Sequence, residues 1–509
     1  MRASALAFRS LLILAALAAF PAASCGGSAA TAPQKAPSRP VVPVESLTSS
    51  SSGARTPRPA VVAEYAATWE PASGSVNVEA RLTAAAGATL AVERGAEPFA
   101  HDVEAAPDRD GAPWTPATRH GRQFEAAPCA AGACRVRYRF ALRDAARKLD
   151  DLDSATEESD FVEAPPSTWL LAPARAAVHD PRVRFRVTTP EGSNFVTGVF
   201  RAEGAPDAWD ISIDDLSTSP YSAFGTFRVR SIPVPGGAIQ LAISPGQTLV
   251  TEDEIVRWTD SAARAVSGYY GRFPMPGALV LIAIARGRWV GSGRTLAGGG
   301  GTVFVRVGES AQAKAYRDDW VLVHEMIHLT FPSVARDQDW AEEGIATYVE
   351  PFARVRAGLV SEEDAWGSLA EGLPNGLPRA GDKGLDHTHT WGRTYWGGAL
   401  FWFLADVEIH KRTQNRMGLE QALRGINAAG GTNATRWPLD EVMKAGDRAT
   451  GVPVLSELYA TMSASPHPVD VPALFRSLGV EASGGRARFD DHAPLAEIRR
   501  AITHGTETR

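Results

Sequence analysis

Between residues 61 and 250 the apolar and polar positions alternate with a period of two. Val76, Val78, Ala80 and Leu82 alternate with Asn77, Glu79 and Arg81. Val136, Tyr138 and Phe140 alternate with Arg135, Arg137 and Arg139, and Val183, Phe185 and Val187 with Arg182, Arg184 and Arg186. Successive side chains of a strand point to opposite faces, so this pattern predicts strands with one buried and one wet face. The Arg rows then belong to the solvated face. Ile239, Leu241 and Ile243 continue the alternation. A mainly β, sandwich-like N-terminal domain is expected over 61–250.

From 251 the period lengthens. Thr251, followed by Glu252, Asp253 and Glu254, has the form of a helix start, an N-cap with acids in the first turn, and the helix is expected to run to about Tyr270. Residues 278–285 (ALVLIAIA) form a short apolar strand, followed by the glycine run 298–301 and a strand over 302–307. Past 311 the spacing is helical over 315–331, 338–353, 361–371, 391–412 and 417–427, with shorter pieces to 503. A few strands followed by helices predict an α+β catalytic domain over 251–430 and a helical C-terminal part over 431–509.

The first 60 residues have neither period. Arg2 and Arg9 precede an apolar run over 11–20, and the small residues Ala22, Ala23 and Ser24 lead to Cys25. This order is that of an export signal over 1–25 and resembles a bacterial lipoprotein leader, with Cys25 as the lipidated residue. The expectation is an exported bacterial protein held at the membrane by that anchor, periplasmic or at the cell surface, or else secreted. Residues 26–60 are rich in Ser, Ala, Pro and Thr and read as a disordered tether. No later segment is apolar for long enough to span a bilayer.

Composition narrows the partners. Fifty-two Lys and Arg against 58 Asp and Glu leave a net charge of −6, so there is no basic field for a phosphate backbone and no nucleic acid is expected. Three cysteines exclude a disulfide-stapled mini-fold. Cys129 and Cys134 bracket four small residues, and in an oxidising compartment they would close a hairpin tip as a disulfide. Zinc binding by this pair is the competing reading, weakened by the lack of further ligands nearby.

The chemistry lies in His324-Glu325-Met326-Ile327-His328. On a helix, positions i and i+4 lie about 40° apart, so both imidazoles leave one face and can hold one Zn²⁺ while Glu325 reaches a water on the metal. A third ligand is required. Glu343, fifteen residues after His328, lies in Trp340-Ala341-Glu342-Glu343-Gly344-Ile345-Ala346-Thr347-Tyr348. A helix there, running back beside the first, would complete a His₂Glu site with a fourth position open for water.

These two motifs together resemble the gluzincin metallopeptidases, the glycyl aminopeptidases first and, more distantly, the alanyl aminopeptidase and leukotriene hydrolase family. The resemblance covers roughly 250–430. It implies an N-terminal β domain followed by a thermolysin-like zincin domain, one zinc ion on His324, His328 and Glu343, and Glu325 as general base. Tyr395, in Tyr395-Trp396-Gly397-Gly398, corresponds to the tyrosine that donates to the oxyanion in those families, although their Y-x-K-G lysine is Gly397 here. Glu350, seven residues after Glu343 and on nearly the same helix face, matches a Glu that those aminopeptidases carry at the end of this helix, and either supports the metal ligands or is a solvated charge. The resembled aminopeptidases carry an acid after the glycine-rich segment that grips the substrate amine; here Thr302-Val303-Phe304-Val305 has none, and the nearest is Glu309.

Gly299, Gly300 and Gly301 are expected to bring a strand edge close to an extended peptide substrate. His387 and His389 precede Tyr395 and could face the same cleft. The leading expectation is an exported zinc metallopeptidase acting on peptides or proteins. One alternative is an aminopeptidase, and another is a non-catalytic surface lipoprotein with a relict zinc site.

Overall fold

The computed structural model describes residues 59–151, 153–158 and 161–506. The leader with Cys25 and the tether through residue 58 lie outside the described residues. Ala60–Glu70 lies inside an eight-stranded sheet, antiparallel to Ser75–Leu82 and parallel to Pro181–Thr188. The predicted alternation is the burial pattern: Val76, Val78, Ala80 and Leu82 are buried, and Asn77, Glu79 and Arg81 are exposed. The Arg rows carry cross-strand ion pairs on the outer face, with Arg182 at 2.6 Å and Arg184 at 3.2 Å from Asp210, and Arg137 at 2.7 Å from Glu104. Two four-stranded sheets accompany the large one. Trp169 centres the aromatic core between layers, edge-on to Phe185 at 5.8 Å and to Phe224 at 5.5 Å. Cys129 and Cys134 form a disulfide, their Cα atoms 5.0 Å apart, tying the turn Ala127–Ala131 to the strand Cys134–Phe140.

The β pattern does not divide at 250. Arg228–Val234 and Gly237–Ile243 form a hairpin that belongs to a second, five-stranded sheet. Number its strands β1 (Arg228–Val234), β2 (Gly237–Ile243), β3 (Gly277–Ala285), β4 (Val290–Leu296) and β5 (Thr302–Gly308). The order is β1-β2-β3-β5-β4, with β2, β3 and β5 parallel and β4 antiparallel to β5. A parallel step from β2 to β3 needs a crossover, and helix α1 (Glu252–Tyr270) supplies it. The start predicted at Thr251 is a complete capping box: Glu254 N donates to Thr251 Oγ1 at 3.3 Å, and Thr251 N donates to Glu254 Oε2 at 2.7 Å.

Three further helices frame the site: α2 (Val321–His328), α3 (Asp339–Arg356) and α4 (Gly398–Thr413). One apolar core runs from the five-stranded sheet through these helices to Leu439, Val454 and Ile502. The part beyond 430 therefore shares the core of the sheet-bearing body, and it is not wholly helical, since Val480–Ser483 and Arg486–Phe489 form a hairpin. A second apolar layer, with Phe161, Tyr221 and Phe227 against Leu279, Leu281 and Phe304, joins the N-terminal sheets to the five-stranded one. The result is a mixed α+β architecture, β-rich at the N-terminus and helical towards the C-terminus. No helix among the described residues is long and apolar enough to cross a membrane.

Candidate active site

Helix α2 starts where Asp319 accepts from Val321 N at 3.0 Å and from Leu322 N at 3.1 Å, satisfying two of the amides left free at a helix start. Trp258 Nε1 donates to the same carboxylate at 3.1 Å. Burial pushes the Asp319 carboxyl up to about 6 against these three donors. All of α2 from Leu322 onward is buried, and the two imidazoles leave one face with ring centroids 5.0 Å apart. The chain turns over 332–338, and α3 returns beside α2 carrying Glu343. Its Oε2 lies 3.5 Å from His324 Nε2 and 3.5 Å from His328 Nε2.

These three residues fit a zinc ion. Two donors each about 2.1 Å from a tetrahedral centre lie about 3.4 Å apart, close to both measured separations. The donor atoms all lie within 4.8 Å of one another. The electrostatics agree. Burial by itself favours a neutral His328, but the Glu343 carboxylate, at hydrogen-bonding distance, and Glu325 behind it raise the imidazolium to about 9. Burial raises the Glu343 carboxyl, and the two imidazoles more than reverse this, holding it well below the usual carboxylate range. A site that holds a positive charge so firmly between these groups also suits a dication.

Of the neighbouring acids, Glu342 turns away and accepts from Val334 N at 2.9 Å, and burial pushes its carboxyl up to about 7. Glu350 is buried and pairs with Arg354 at 2.7 Å; burial raises its carboxyl, and Arg354 and then His324 lower it. Neither His387 nor His389 joins the cluster of His324, His328 and Glu343. Tyr395 lies half-buried on the π-helical turn Gly392–Gly397 that leads into α4, its ring 6.3 Å from that of Trp391. Turns of this type concentrate at functional sites. That turn is held against α3 where the backbones of Gly344 and Gly398 meet, next to Glu343, with no room for a Cβ on either.

The expectation for Gly299, Gly300 and Gly301 is corrected. The strand after them, β5, is paired on both sides and offers no edge. The glycines themselves are packed where the two bodies meet. Gly301 N donates to Gly198 O at 3.0 Å, Phe200 N donates to Gly299 O at 3.1 Å, and Gly300 makes a β-bridge with Val199. A Cβ on Gly301 would lie 2.7 Å from Leu329 Cδ2. Close approach explains these glycines, but the approaching partner is the protein's own backbone.

The edge strand beside α2 is β4, for which the sequence predicts no strand. Its residues Gly291-Ser292-Gly293-Arg294 carry no apolar alternation. Thr295 Oγ1 lies 2.8 Å from both the carbonyl oxygen and Oε2 of Glu325, so β4 holds the acid of the motif directly. Gly293 faces the same side chain, and a Cβ there would overlap Glu325 Cγ.

No protein-family model matches the chain, and no curated protein matches it. Solved structures do. An aminopeptidase N family protein from Idiomarina loihiensis superposes with a TM-score of 0.63 at 14% identity, over 82% of this chain and 78% of that one. An M1 zinc metallopeptidase variant from Deinococcus radiodurans gives 0.52 at 14% identity, over 81% and 95%. A variant from the same organism bound to a Tyr-Ser-Ala substrate gives 0.50 at 13% identity, over 81% and 95%. Likeness at this level of identity establishes a shared fold.

Proposed function

We propose that this chain is a zinc-dependent peptidase that removes residues from the N-terminus of peptides. The observation that carries the reading is the convergence of His324, His328 and Glu343 beside Glu325, with Glu325 held by Thr295 on a free strand edge. The two imidazoles and the Glu343 carboxylate would hold the zinc ion, which would supply the Lewis acidity for activating a water and polarising a carbonyl. Glu325 takes the proton from the attacking water at its carboxylate and delivers it to the leaving amine. Thr295 fixes that carboxylate. Tyr395 donates its hydroxyl proton in a hydrogen bond to the developing oxyanion. The half-buried edge of β4 pairs with the substrate backbone.

One observation favours trimming over internal cleavage. The C-terminal end of β4 runs straight into the glycine run that is joined to Gly198, Val199 and Phe200, so a peptide laid along β4 has no exit there. A blocked end suits the first residue of a peptide better than a continuing chain. The structural relative with Tyr-Ser-Ala bound, which shares this fold, fits the same reading. A relict, non-catalytic site has no use for an acid held by Thr295.

The test is digestion of a peptide library by the full chain with and without a chelator. Stepwise loss of N-terminal residues that stops on chelation and returns with zinc is expected. Internal cuts support a zinc endopeptidase instead, and no cuts at all sink the enzymatic reading. Export and lipidation at Cys25 complete the proposal on the strength of the leader sequence. Mass analysis of the mature N-terminus checks them, and an unmodified cysteine rejects the anchor.

A further inference from the structure

A pocket of about 380 Å³ opens between α1, the short helix Ala313–Arg317, the start of α2 and the chain just past α3. Small-molecule sites are commonly about 300–1,000 Å³, mostly apolar with a few polar groups. Val323 lines this pocket, one residue before His324. Successive residues leave a helix about 100° apart, so the pocket and the imidazoles take different faces of α2.

Much of the wall is apolar. Trp258 and Tyr316 both line it and meet edge-on, their ring centroids 5.2 Å apart. Leu359, also in the lining, is 38% exposed. The Tyr316 hydroxyl is buried and has no hydrogen-bond partner among the described residues. Burial, and then Glu254, push it up to about 12, so it stays a donor.

Four charged side chains line the same pocket, two acids and two bases, so formal charge alone selects no ligand. Their commitments differ. Asp319 already accepts from Val321 N, Leu322 N and Trp258 Nε1. Glu254 Oε2 accepts from the amide and the hydroxyl of Thr251 at 2.7 and 3.0 Å. Arg257 and Arg317 are exposed, and neither guanidinium makes an ion pair or a hydrogen bond among the described residues. A free guanidinium presents a planar fork that matches a carboxylate.

We propose that this pocket binds a small carboxylate with an aromatic or branched apolar body. The carboxylate meets Arg257 and Arg317, and the body covers Trp258, Tyr316 and Leu359, whose apolar area water otherwise wets. A cationic ligand meets two unpaired guanidiniums and acids that are already hydrogen-bonded. The three metal donors take no part, so the inference stands independently of the peptidase reading.

The experiment is calorimetric titration of the zinc-loaded full chain with indole-3-acetate, indole-3-ethanol and tryptamine, which share one ring system and differ in charge. Indole-3-acetate is expected to bind about tenfold tighter than the alcohol, the lower end of what hydrogen bonds to a charged group contribute. Tryptamine is expected to bind more weakly than the alcohol. Arg257→Gln combined with Arg317→Gln is expected to remove the tenfold advantage. Both side chains are exposed and unpaired, so melting temperature and zinc content should stay at wild-type values. A carboxylate can also settle on zinc, and the double substitution separates the two sites: an advantage that survives it belongs elsewhere and overturns the inference. Equal binding of the acetate and the alcohol, tightest binding of tryptamine, or no binding of any of the three overturns it as well. The peptidase reading is judged separately, from the cleavage products of the wild-type chain.

Discussion

Two glycine-rich stretches follow one another in this chain and do opposite work. Gly291 and Gly293, in β4, leave room on a free strand edge, and the room at Gly293 is filled by Glu325. Gly298 to Gly301 leave no room at all. Gly298 is pressed on Thr218 and Gly300 on Gly198, joining the five-stranded sheet to the N-terminal body. In the proposed reading one stretch shapes the chemistry, and the next blocks the end of the cleft. What separates Gly293 from Gly300 is the neighbour each meets, a movable side chain in one case and backbone in the other. The contrast can be broken or sharpened by substitution.

The largest effect tests whether the side chain that β4 faces is the proton acceptor. Glu325→Gln keeps shape and volume but cannot take a proton. It is expected to retain zinc and to lose about 10²–10⁴-fold in turnover, the scale of general-base loss. Metal analysis alongside peptide hydrolysis checks it. Near-normal turnover in a zinc-replete variant removes the functional side of the contrast.

Gly300→Ala tests the other side. Its Cβ would overlap Gly198 O and lie 2.8 Å from Val199 Cα, and backbone cannot rotate away as a side chain can. A loss of about 1–3 kcal/mol of stability is expected, the usual cost of forcing atoms into a packed contact. Turnover per folded molecule should be little changed. A lower melting temperature with retained zinc and retained specific activity is the predicted outcome. Unaltered melting would mean that the two bodies are less tightly joined here than the bridge to Val199 implies.

The same contrast explains what the sequence could and could not say. His324, Glu325 and His328 were legible because a helix fixes which side chains share a face, and Glu343 because a second helix returning beside the first can present it there. The N-terminal strands were legible from strict alternation, which is their burial pattern. The boundary at 250 was not, because β1 and β2 carry the same period of two as the strands before them and differ only in which sheet they join. The glycine run was misread because glycine that admits a substrate and glycine that admits the protein's own backbone look alike in a sequence. β4 was missed because an edge strand of small and polar residues has no buried face to impose a period.

Gly293→Ala separates room from rigidity. A Cβ there overlaps Glu325 Cγ and lies 2.9 Å from Cδ, and this neighbour is a side chain, which can turn where backbone cannot. The fold should absorb the methyl by moving Glu325, so melting changes little. The acid moves away from the water it must deprotonate, and a displacement of about 1 Å at a reacting group costs about 10²-fold. The outcome is the reverse of Gly300→Ala: stability kept and turnover lost. If both substitutions destabilise alike and leave specific activity alone, the two glycine stretches are equivalent and the comparison fails.

The smallest effect concerns the hydroxyl of Thr295. It lies 2.8 Å from the Glu325 carboxylate and 2.8 Å from the Glu325 carbonyl, so it ties the side chain to the strand without touching the three metal donors. Thr295→Val keeps the β-branched shape that suits a strand and removes only the donor. A hydrogen bond to a charged group contributes about 1.5–3 kcal/mol, part of which water recovers at this half-buried edge. About a tenfold loss is expected, at the lower end of that range. The loss should fall on kcat, because Thr295 orients the acid and does not bind the peptide in the ground state. Zinc content and melting temperature should stay at wild-type values. A rise in KM with kcat unchanged would instead place Thr295 among the groups that hold substrate, and β4 would then act on the peptide alone and not on the acid that deprotonates the attacking water.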